Sequence, residues 1–178
     1  MSATKVPQRV KDANRRLCDE YPFLIPSSRW SGNRITALDD DDAPEYDYEY
    51  TELDDMPEGW RIAFGNDLLR DLKAELVKSD RLEDYRVVQI KEKYGGLRWY
   101  DNGCTDKWYS EILPKYERLS YRTCIHCGKP ATVISKGWIM PFCDDCAKEI
   151  IDKNKYYHGD WRQYYTPIAE FYGGEEDI

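Results

Sequence analysis

Two CxxC pairs decide the fold of this chain: Cys124-Ile125-His126-Cys127 and, fifteen residues later, Cys143-Asp144-Asp145-Cys146. Such pairs can deliver four thiolates to one tetrahedral ion, because each forms a tight turn that points both sulfurs at the same place. Four thiolates favour zinc, a redox-inert ion that accepts soft ligands in tetrahedral geometry. Because four protein ligands leave no coordination position for water or substrate, the predicted zinc ion is structural.

The residues between and after the two pairs predict a hairpin and a helix. Residues 131–135 have the composition of a short strand, and residues 138–142 have that of its return strand after a Lys136-Gly137 turn. From Cys143 onward the apolar residues change to helical spacing, so a helix is expected to begin at the second pair. A knuckle, a hairpin and a helix that carries the last ligands is the order of a treble-clef zinc finger. We predict this module for residues 121–155.

The same cysteines could instead form disulfides or a redox-active pair. Disulfide frameworks are typical of small secreted domains, whereas residues 1–17 contain no apolar core of a signal peptide. A redox pair needs one thiol with a lowered pKa, and it does not account for two pairs that flank a hairpin. His126 could replace one sulfur, but with four cysteines present we expect it beside the site and not as a ligand. One structural zinc ion therefore remains the preferred cofactor.

The composition describes an acidic, polar chain with many aromatic residues. Its 178 residues carry 34 acidic and 26 basic side chains, for a formal net charge of -8. No apolar run approaches the length of a membrane span, so no membrane partner is expected. The negative charge argues against nonspecific binding of nucleic acid by the whole molecule, because phosphates require a basic surface. The fifteen tyrosines and six tryptophans are typical either of contact surfaces or of a core short of leucine.

Residues 1–120 are predicted to form one α+β domain, in which a small antiparallel sheet packs with helices. Gly95-Gly96 is expected to form the turn of a hairpin at about 85–101. Pro114 is expected to kink or restart the helix predicted at about 105–120. Residues 156–178 form an aromatic-rich C-terminal tail, whose aromatic part should fold back on the core. The expected elements of the domain are a helix at about 7–20, an acidic segment at 37–58, a helix at about 57–78, a hairpin at about 85–101 and a helix at about 105–120.

The acidic segment is the second distinctive feature of the sequence, because residues 37–58 hold eleven acidic side chains and no basic one. Within it, acidic residues and tyrosines alternate, which in an extended strand puts the rings on one face and the carboxylates on the other. We predict that this face binds a partner, although a merely solubilising acidic edge would have the same pattern. Calcium is disfavoured because the spacing does not match an EF-hand loop. The predicted partner-binding residues are Glu45, Tyr46, Asp47, Tyr48, Glu49 and Tyr50.

The predicted hairpin offers a surface of opposite charge. Lys91, Lys93 and Arg98 could form a basic stripe beside an exposed Trp99 or Tyr100. A basic stripe with neighbouring aromatic rings is typical of platforms for single-stranded nucleic acid. The pattern is more typical of a sheet that packs one face on helices and turns its charges outward.

Four stretches also carry a resemblance. They are Tyr21-Pro22-Phe23-Leu24-Ile25-Pro26, the run from Tyr50 to Asp54 that leads to Gly59-Trp60, the run from Gln89 to Tyr100, and the two CxxC pairs with Gly137-Trp138-Ile139 between them. Together they resemble a family of small proteins of bacteriophages, prophages and bacteria, over about residues 20–147. The resemblance implies a mobile-element origin and an intracellular location, and it implies no activity. It carries over only Cys124, Cys127, Cys143 and Cys146, as zinc ligands.

No catalytic motif accompanies these features. The chain has two histidines, and it lacks the patterns of a serine nucleophile, a catalytic zinc site or a phosphate loop. We therefore predict a non-enzymatic, zinc-binding accessory protein of phage or mobile-element type in the cytoplasm of the host cell. Its predicted partner is a host protein, for example of a defence system that it inhibits, bound through the acidic, tyrosine-rich surface. One alternative is a zinc-dependent nucleic-acid-binding protein that uses residues 89–100. Another is a structural component that assembles into a homo-oligomer.

Overall fold

The computed structural model describes residues 5–27 and 46–172, which combine helices with two small antiparallel sheets. The predicted α+β class is confirmed. Up to Tyr121 the elements are α1 (Gln8–Glu20), 3-10 turns at Pro22–Leu24 and Glu52–Asp55, α2 (Glu58–Trp60), a π turn (Arg61–Gly65), α3 (Asn66–Lys78), β1 (Val87–Lys93), β2 (Gly96–Asp101), a second π turn (Trp108–Ile112) and α4 (Leu113–Tyr121). After it come β3 (Val133–Ser135), β4 (Pro141–Phe142), α5 (Asp144–Lys153), a 3-10 turn (Trp161–Tyr164), β5 (Tyr165–Pro167) and α6 (Ile168–Phe171).

The helical segment from α2 to α3 organises the larger of two cores. It continues without a break from Glu58 to Lys78, as predicted, and its apolar side chains recur at every fourth position. Trp60, Leu68 and Leu72 are completely buried in a cluster that also includes residues of α1, β1, β2 and α4. Each such side chain contributes about 1.5–3 kcal/mol when removed from water, so this helix holds the larger part of the molecule together.

The β1–β2 hairpin turns at Tyr94 and Gly95, one residue earlier than predicted. Both residues have positive φ, 54° and 80°, as a two-residue turn of this hairpin type requires. Gly96 instead pairs with Lys93 as the first residue of β2. Its lack of a side chain serves another purpose, because a Cβ there would lie 2.5 Å from the Tyr121 ring. Gly95 thus occupies a turn position, and Gly96 allows the Tyr121 ring to approach the strand closely.

Asp101, the last residue of β2, ties the hairpin to the helix that follows. Its carboxylate accepts hydrogen bonds from the Tyr85 hydroxyl at 2.8 Å, from the Trp108 indole at 3.1 Å and from the Tyr109 hydroxyl. The Trp99 indole donates in turn to the Tyr85 oxygen at 2.9 Å. Burial and the neighbouring carboxylate raise the pKa of Tyr85, so its hydroxyl keeps the proton that it donates. The buried polar groups of Tyr85, Trp99 and Trp108 therefore all have hydrogen-bond partners.

The helix predicted at about 105–120 accommodates Pro114 through the second π turn. This turn spans Trp108–Ile112, directly before α4, whose first turn contains the proline. Proline has no N–H to donate to the preceding turn, and a wider turn allows the helix to continue without that bond. The expected irregularity of the helix near Pro114 is confirmed. Trp108, the first residue of the π turn, is completely buried.

The second sheet belongs to the cysteine-containing part of the chain and has the strand order β4-β3-β5, all antiparallel. The predicted hairpin and the helix after Cys143 are confirmed as β3, β4 and α5. The aromatic tail folds back, but on this smaller core, where Tyr165 lies edge-on to Phe142 at 5.9 Å. Its contribution of a strand was not predicted. Residues 173–178 lie outside the described residues.

Candidate metal centre and neighbouring surfaces

The four predicted ligands form one cluster. The sulfur atoms of Cys124, Cys127, Cys143 and Cys146 all lie within 4.8 Å of one another, and those of Cys127 and Cys143 are 3.6 Å apart. Four sulfurs around a tetrahedral ion at about 2.3 Å are separated by about 3.8 Å, whereas a disulfide requires about 2.05 Å. All four cysteines are free. The cluster therefore fits a single tetrahedral metal ion and contains no disulfide.

Two local structures aim the sulfurs at this point. After Cys124 the chain makes a tight turn in which the Gly128 N–H donates to the Cys124 carbonyl at 3.0 Å, and Gly128 takes a φ of 79° that favours glycine. Cys143 is the N-cap of α5, and Cys146 lies in the first turn of that helix. The N-terminus of a helix carries partial positive charge, which stabilises thiolates. His126 is exposed and stays outside the cluster, as expected.

The four thiols of the cluster lie too close together to ionise together without a nearby cation. Burial raises the pKa of Cys146 and of Cys143. Burial also acts to raise the pKa of Cys127, but hydrogen bonds from the Lys129 backbone and from neighbouring cysteines lower it. Closely spaced thiols cannot all ionise without a compensating charge. A divalent ion would supply that charge and would make all four sulfurs thiolate ligands.

The tight turn formed by residues 124–128, which we call the knuckle, packs directly on the start of α2. The Gly59 N–H donates to the Ile125 carbonyl at 3.0 Å, and the Trp60 indole donates to the Thr123 carbonyl at 3.2 Å. A Cβ on Gly59 would lie only 2.1 Å from the Cys124 carbonyl oxygen, so glycine alone permits this approach. The cysteine cluster is thus docked directly on the helical segment that begins with α2.

The acidic, tyrosine-rich segment contacts the chain's own first helix. Lys11 of α1 forms ion pairs with Asp47 and, at 2.8 Å, with Glu49. A hydrogen bond from Lys11 lowers the pKa of Asp47, and the Arg15 guanidinium lies 4.4 Å above the Tyr48 ring. Two basic residues of α1 therefore already occupy part of the predicted partner surface.

The segment is also not the extended strand that was predicted. Tyr48 has a φ of 63°, in the left-handed region, which interrupts strand geometry. The tyrosines still share one side, since the Tyr46 ring lies 4.7 Å from that of Tyr48 and 6.1 Å from that of Tyr50. The Tyr46 hydroxyl also donates to the Tyr50 carbonyl, which closes the segment into a compact turn. Glu45 and the residues back to 28 lie outside the described residues.

The basic residues predicted on the hairpin lie on one side of its strands, but Arg98 contacts α4: its guanidinium donates to the Tyr121 hydroxyl at 3.1 Å and lies 3.9 Å from the Glu117 carboxylate. Lys91 and Arg98 are opposite each other on β1 and β2, and Lys93 follows at the tip. Of the two rings expected beside them, Tyr100 is exposed, whereas Trp99 is only 5% exposed and belongs to the larger core. The prediction of Trp99 as a ligand-contacting ring is therefore wrong. Alternation shows which residues share a face, but it does not show which face is buried.

A groove of about 380 Å³ opens between the tip of β1–β2 and the turn of the β3–β4 hairpin, and we call it the tip groove. Its two prominent rings are Trp138, which is 72% exposed, and Tyr94, which is 67% exposed. The Trp138 indole donates to the Glu92 carboxylate at 3.2 Å and so joins the two hairpins. The groove is lined by Lys91, Glu92, Lys93, Tyr94, Gly137, Trp138 and Ile139.

Sequence reasoning missed Tyr94 and Trp138 as site residues. Each lies in a turn of a different hairpin, and nothing in either local pattern indicates that the two turns meet. The remaining cysteines, Cys18 and Cys104, lie outside the metal cluster. Burial raises the pKa of the Cys104 thiol, which disfavours a nucleophilic role.

No helix within the described ranges is both long and apolar enough to cross a bilayer. Comparisons with family models, with curated proteins and with solved structures found no match to this chain. The functional argument therefore comes from the geometry of the metal centre and of the surfaces around it.

Proposed function

We propose that the protein is a zinc-stabilised binding protein without catalytic activity, whose four cysteines hold one structural zinc ion. The observation that supports this most directly is the docking of the cysteine knuckle on Gly59 and Trp60. Four cysteine ligands leave no open position for a substrate. The zinc ion would act by fixing the β3–β4 hairpin against the tip of β1–β2.

The energetics favour this role. β3 has three residues and β4 has two, so their own packing contributes little. A structural zinc site supplies about 10–16 kcal/mol of binding free energy, which becomes folding free energy for the residues that it joins. The position of Trp138 beside Glu92 would then depend on the bound metal.

The tip groove is the surface best suited to contact a partner. Exposed tryptophan and tyrosine side chains gain much free energy when a partner buries them, and they are common in binding hot spots. We propose that the partner is a macromolecule of the host-cell cytoplasm and that the protein is an accessory factor of a phage or another mobile element. The resemblance over about residues 20–147 supports that setting.

The acidic, tyrosine-rich segment supports a second candidate function, which is to bind and inhibit a host protein. Tyr50 is half exposed, and the side chains of Asp47 and Glu49 keep 54% and 45% of their exposure. A basic partner would have to compete with Lys11 for these carboxylates. This competition is the reason that we place the segment second.

An affinity purification of the tagged protein from host cells, with and without nuclease treatment, tests the proposal. We expect one zinc ion per chain and a stoichiometric partner. The groove variant Y94N/W138S should lose the partner and keep its zinc, and asparagine suits the positive φ at position 94. The acidic-segment variant E45K/D47K/E49K should keep the partner. The reverse pattern would move the function to the acidic segment, whereas a chain without metal would contradict the zinc proposal. Sizing chromatography of the same preparation measures self-association.

A further inference from the structure

We propose that the ligand of the tip groove is a single-stranded nucleic acid. Its bases would stack on Trp138 and Tyr94, and its phosphates would contact Lys91 and Lys93. This inference rests on the proposed function, because it requires the tip groove to be the binding surface. It adds the chemical class of the ligand.

The lysines of the groove are available to an anion. Within the described residues, neither Lys91 nor Lys93 has a carboxylate in ion-pair distance. The Lys91 ammonium donates to the Gln89 side-chain oxygen at 2.6 Å and lies 4.9 Å from the centre of the Tyr100 ring. The Lys93 ammonium lies 5.5 Å from the centre of the Tyr94 ring. Other basic residues of this acidic chain, such as Lys11 and Lys115, do pair with carboxylates. The carboxylate of the groove, that of Glu92, accepts hydrogen bonds from the Gly95 N–H and the Trp138 indole, so an anionic ligand would pair with the lysines.

The aromatic rings indicate what else the ligand must offer. Trp138 and Tyr94 are the two most exposed rings of the groove, and every nucleobase presents a flat face to such rings. The hydrogen bond from the Trp138 indole to Glu92 orients its ring before a ligand arrives. A ring that is already oriented loses less conformational entropy on binding. Positive charge beside oriented rings is the combination that single-strand binding surfaces use.

The size of the groove favours an unpaired strand over other anions. Its volume of about 380 Å³ is that of a small-ligand pocket, which suits one or two unstacked bases, whereas the bases of a duplex are stacked on one another and do not offer a free face to the rings. An acidic peptide would satisfy the lysines but would leave both rings without a flat partner. A single strand satisfies both features of the groove.

The net charge of -8 opposes long-range attraction of a polyanion. Salt screens charges beyond about 8 Å at physiological ionic strength, so the contacts inside the groove decide the affinity. With two lysines available, the affinity should depend only modestly on salt. Two phosphate contacts correspond to a slope of about -1.4 for log affinity against log salt on a single strand.

The test is the binding of a fluorescently labelled oligothymidine of about ten nucleotides to the zinc-loaded full chain, followed by anisotropy from about 50 to 200 mM salt. K91Q/K93Q should weaken binding about tenfold and remove most of the salt dependence. W138L should weaken binding by about tenfold without changing the salt slope. The matched control K78Q/K107Q removes two exposed lysines outside the groove and should leave affinity within about twofold of the wild type.

The inference would be overturned by no binding at about 50 mM salt, or by equal weakening in K91Q/K93Q and K78Q/K107Q. Equal affinity for a duplex of the same length would overturn it as well. A photo-reactive benzoyl-phenylalanine at position 94 then decides the proposed function separately. If oligothymidine does not bind but the cross-linker captures one protein in cells, the groove remains the binding surface and only the nucleic-acid inference fails. If neither a protein nor a nucleic acid is captured, both proposals fail.

Discussion

Replacing Gly59 by alanine should detach the cysteine knuckle from the helical domain. Gly59 lies in α2, where its backbone passes directly beneath the knuckle. An added Cβ would lie 2.1 Å from the Cys124 carbonyl oxygen, 2.7 Å from the Ile125 carbonyl carbon and 2.8 Å from the Gly128 nitrogen. All three are backbone atoms, so no side-chain rotation can relieve the overlap. Either α2 or the knuckle must move.

The cost of that movement follows from the contacts that it breaks. These are the hydrogen bonds from Gly59 to Ile125 and from the Trp60 indole to Thr123. Each contributes about 1 kcal/mol, and overpacking of a tight site adds about 1–3 kcal/mol. We therefore expect G59A to lose about 3–5 kcal/mol of unfolding free energy, a large part of the roughly 5–15 kcal/mol of a typical domain.

Gly65 provides a matched control, because it is also a buried glycine in the same helical segment. A Cβ there would lie 3.7 Å from the Arg61 Cβ and 3.9 Å from the Trp60 carbonyl oxygen, which is ordinary contact. G65A should therefore gain about 0.5–1 kcal/mol from the lower entropy of its unfolded chain. Urea unfolding of both zinc-loaded variants, followed by tryptophan fluorescence, makes the comparison. Equal midpoints for G59A and G65A would refute the docking of the knuckle on α2.

Three further substitutions test other parts of the structure. Cys143→Ser should unfold the cysteine-containing module and release the metal, so full metal content by elemental analysis would contradict the centre described. Asp101→Asn replaces the charged acceptor of the Tyr85, Trp108 and Tyr109 hydrogen bonds and should lower the unfolding free energy by about 1.5–3 kcal/mol, as measured by urea unfolding. An unchanged midpoint would show that these hydrogen bonds contribute little to stability. Burial acts to raise the pKa of Asp71, but hydrogen bonds from Tyr116 and Lys115 lower it below its usual value. Its ionised form therefore stabilises the fold above the unfolded pKa of about 3.9, and this stabilisation is lost as the pH falls through the lower native pKa. Asp71→Asn should flatten the loss of stability between about pH 5 and pH 2 in an acid titration, and an equally steep loss would contradict this.

The metal ligands could be predicted because their geometry is local. Two cysteines separated by two residues converge whatever surrounds them, and the spacing between the pairs leaves room for one hairpin. The same holds for α5, whose start at Asp144 follows from the change to helical spacing after Cys143. Local pattern and final structure agree wherever one short segment determines the outcome.

The errors arose where distant segments decide the outcome. The pattern of the hairpin groups Trp99 with Ile90 and Leu97, but only the helices packed on that face determine that it is the buried one. The alternation before Tyr50 indicates which side chains share a side, but the ion pairs with Lys11 hold the segment in a turn. In the first case packing decides what the local pattern leaves open, and in the second a contact with α1 overrides the local pattern.

In the proposed function, metal binding and partner binding would be coupled through position but separable by substitution. Trp138 belongs to the hairpin that the two cysteine pairs enclose, so one bound ion would fix both the knuckle and this ring. Glu92 holds the ring from the other side through the indole N–H. Y94N/W138S would keep the ion and lose the groove surface, whereas G59A would keep all four ligands and shift the β3–β4 hairpin away from the tip of β1–β2. Partner binding at a groove that requires both hairpins should be lost in both variants, and the lower unfolding free energy of G59A would reveal its different cause.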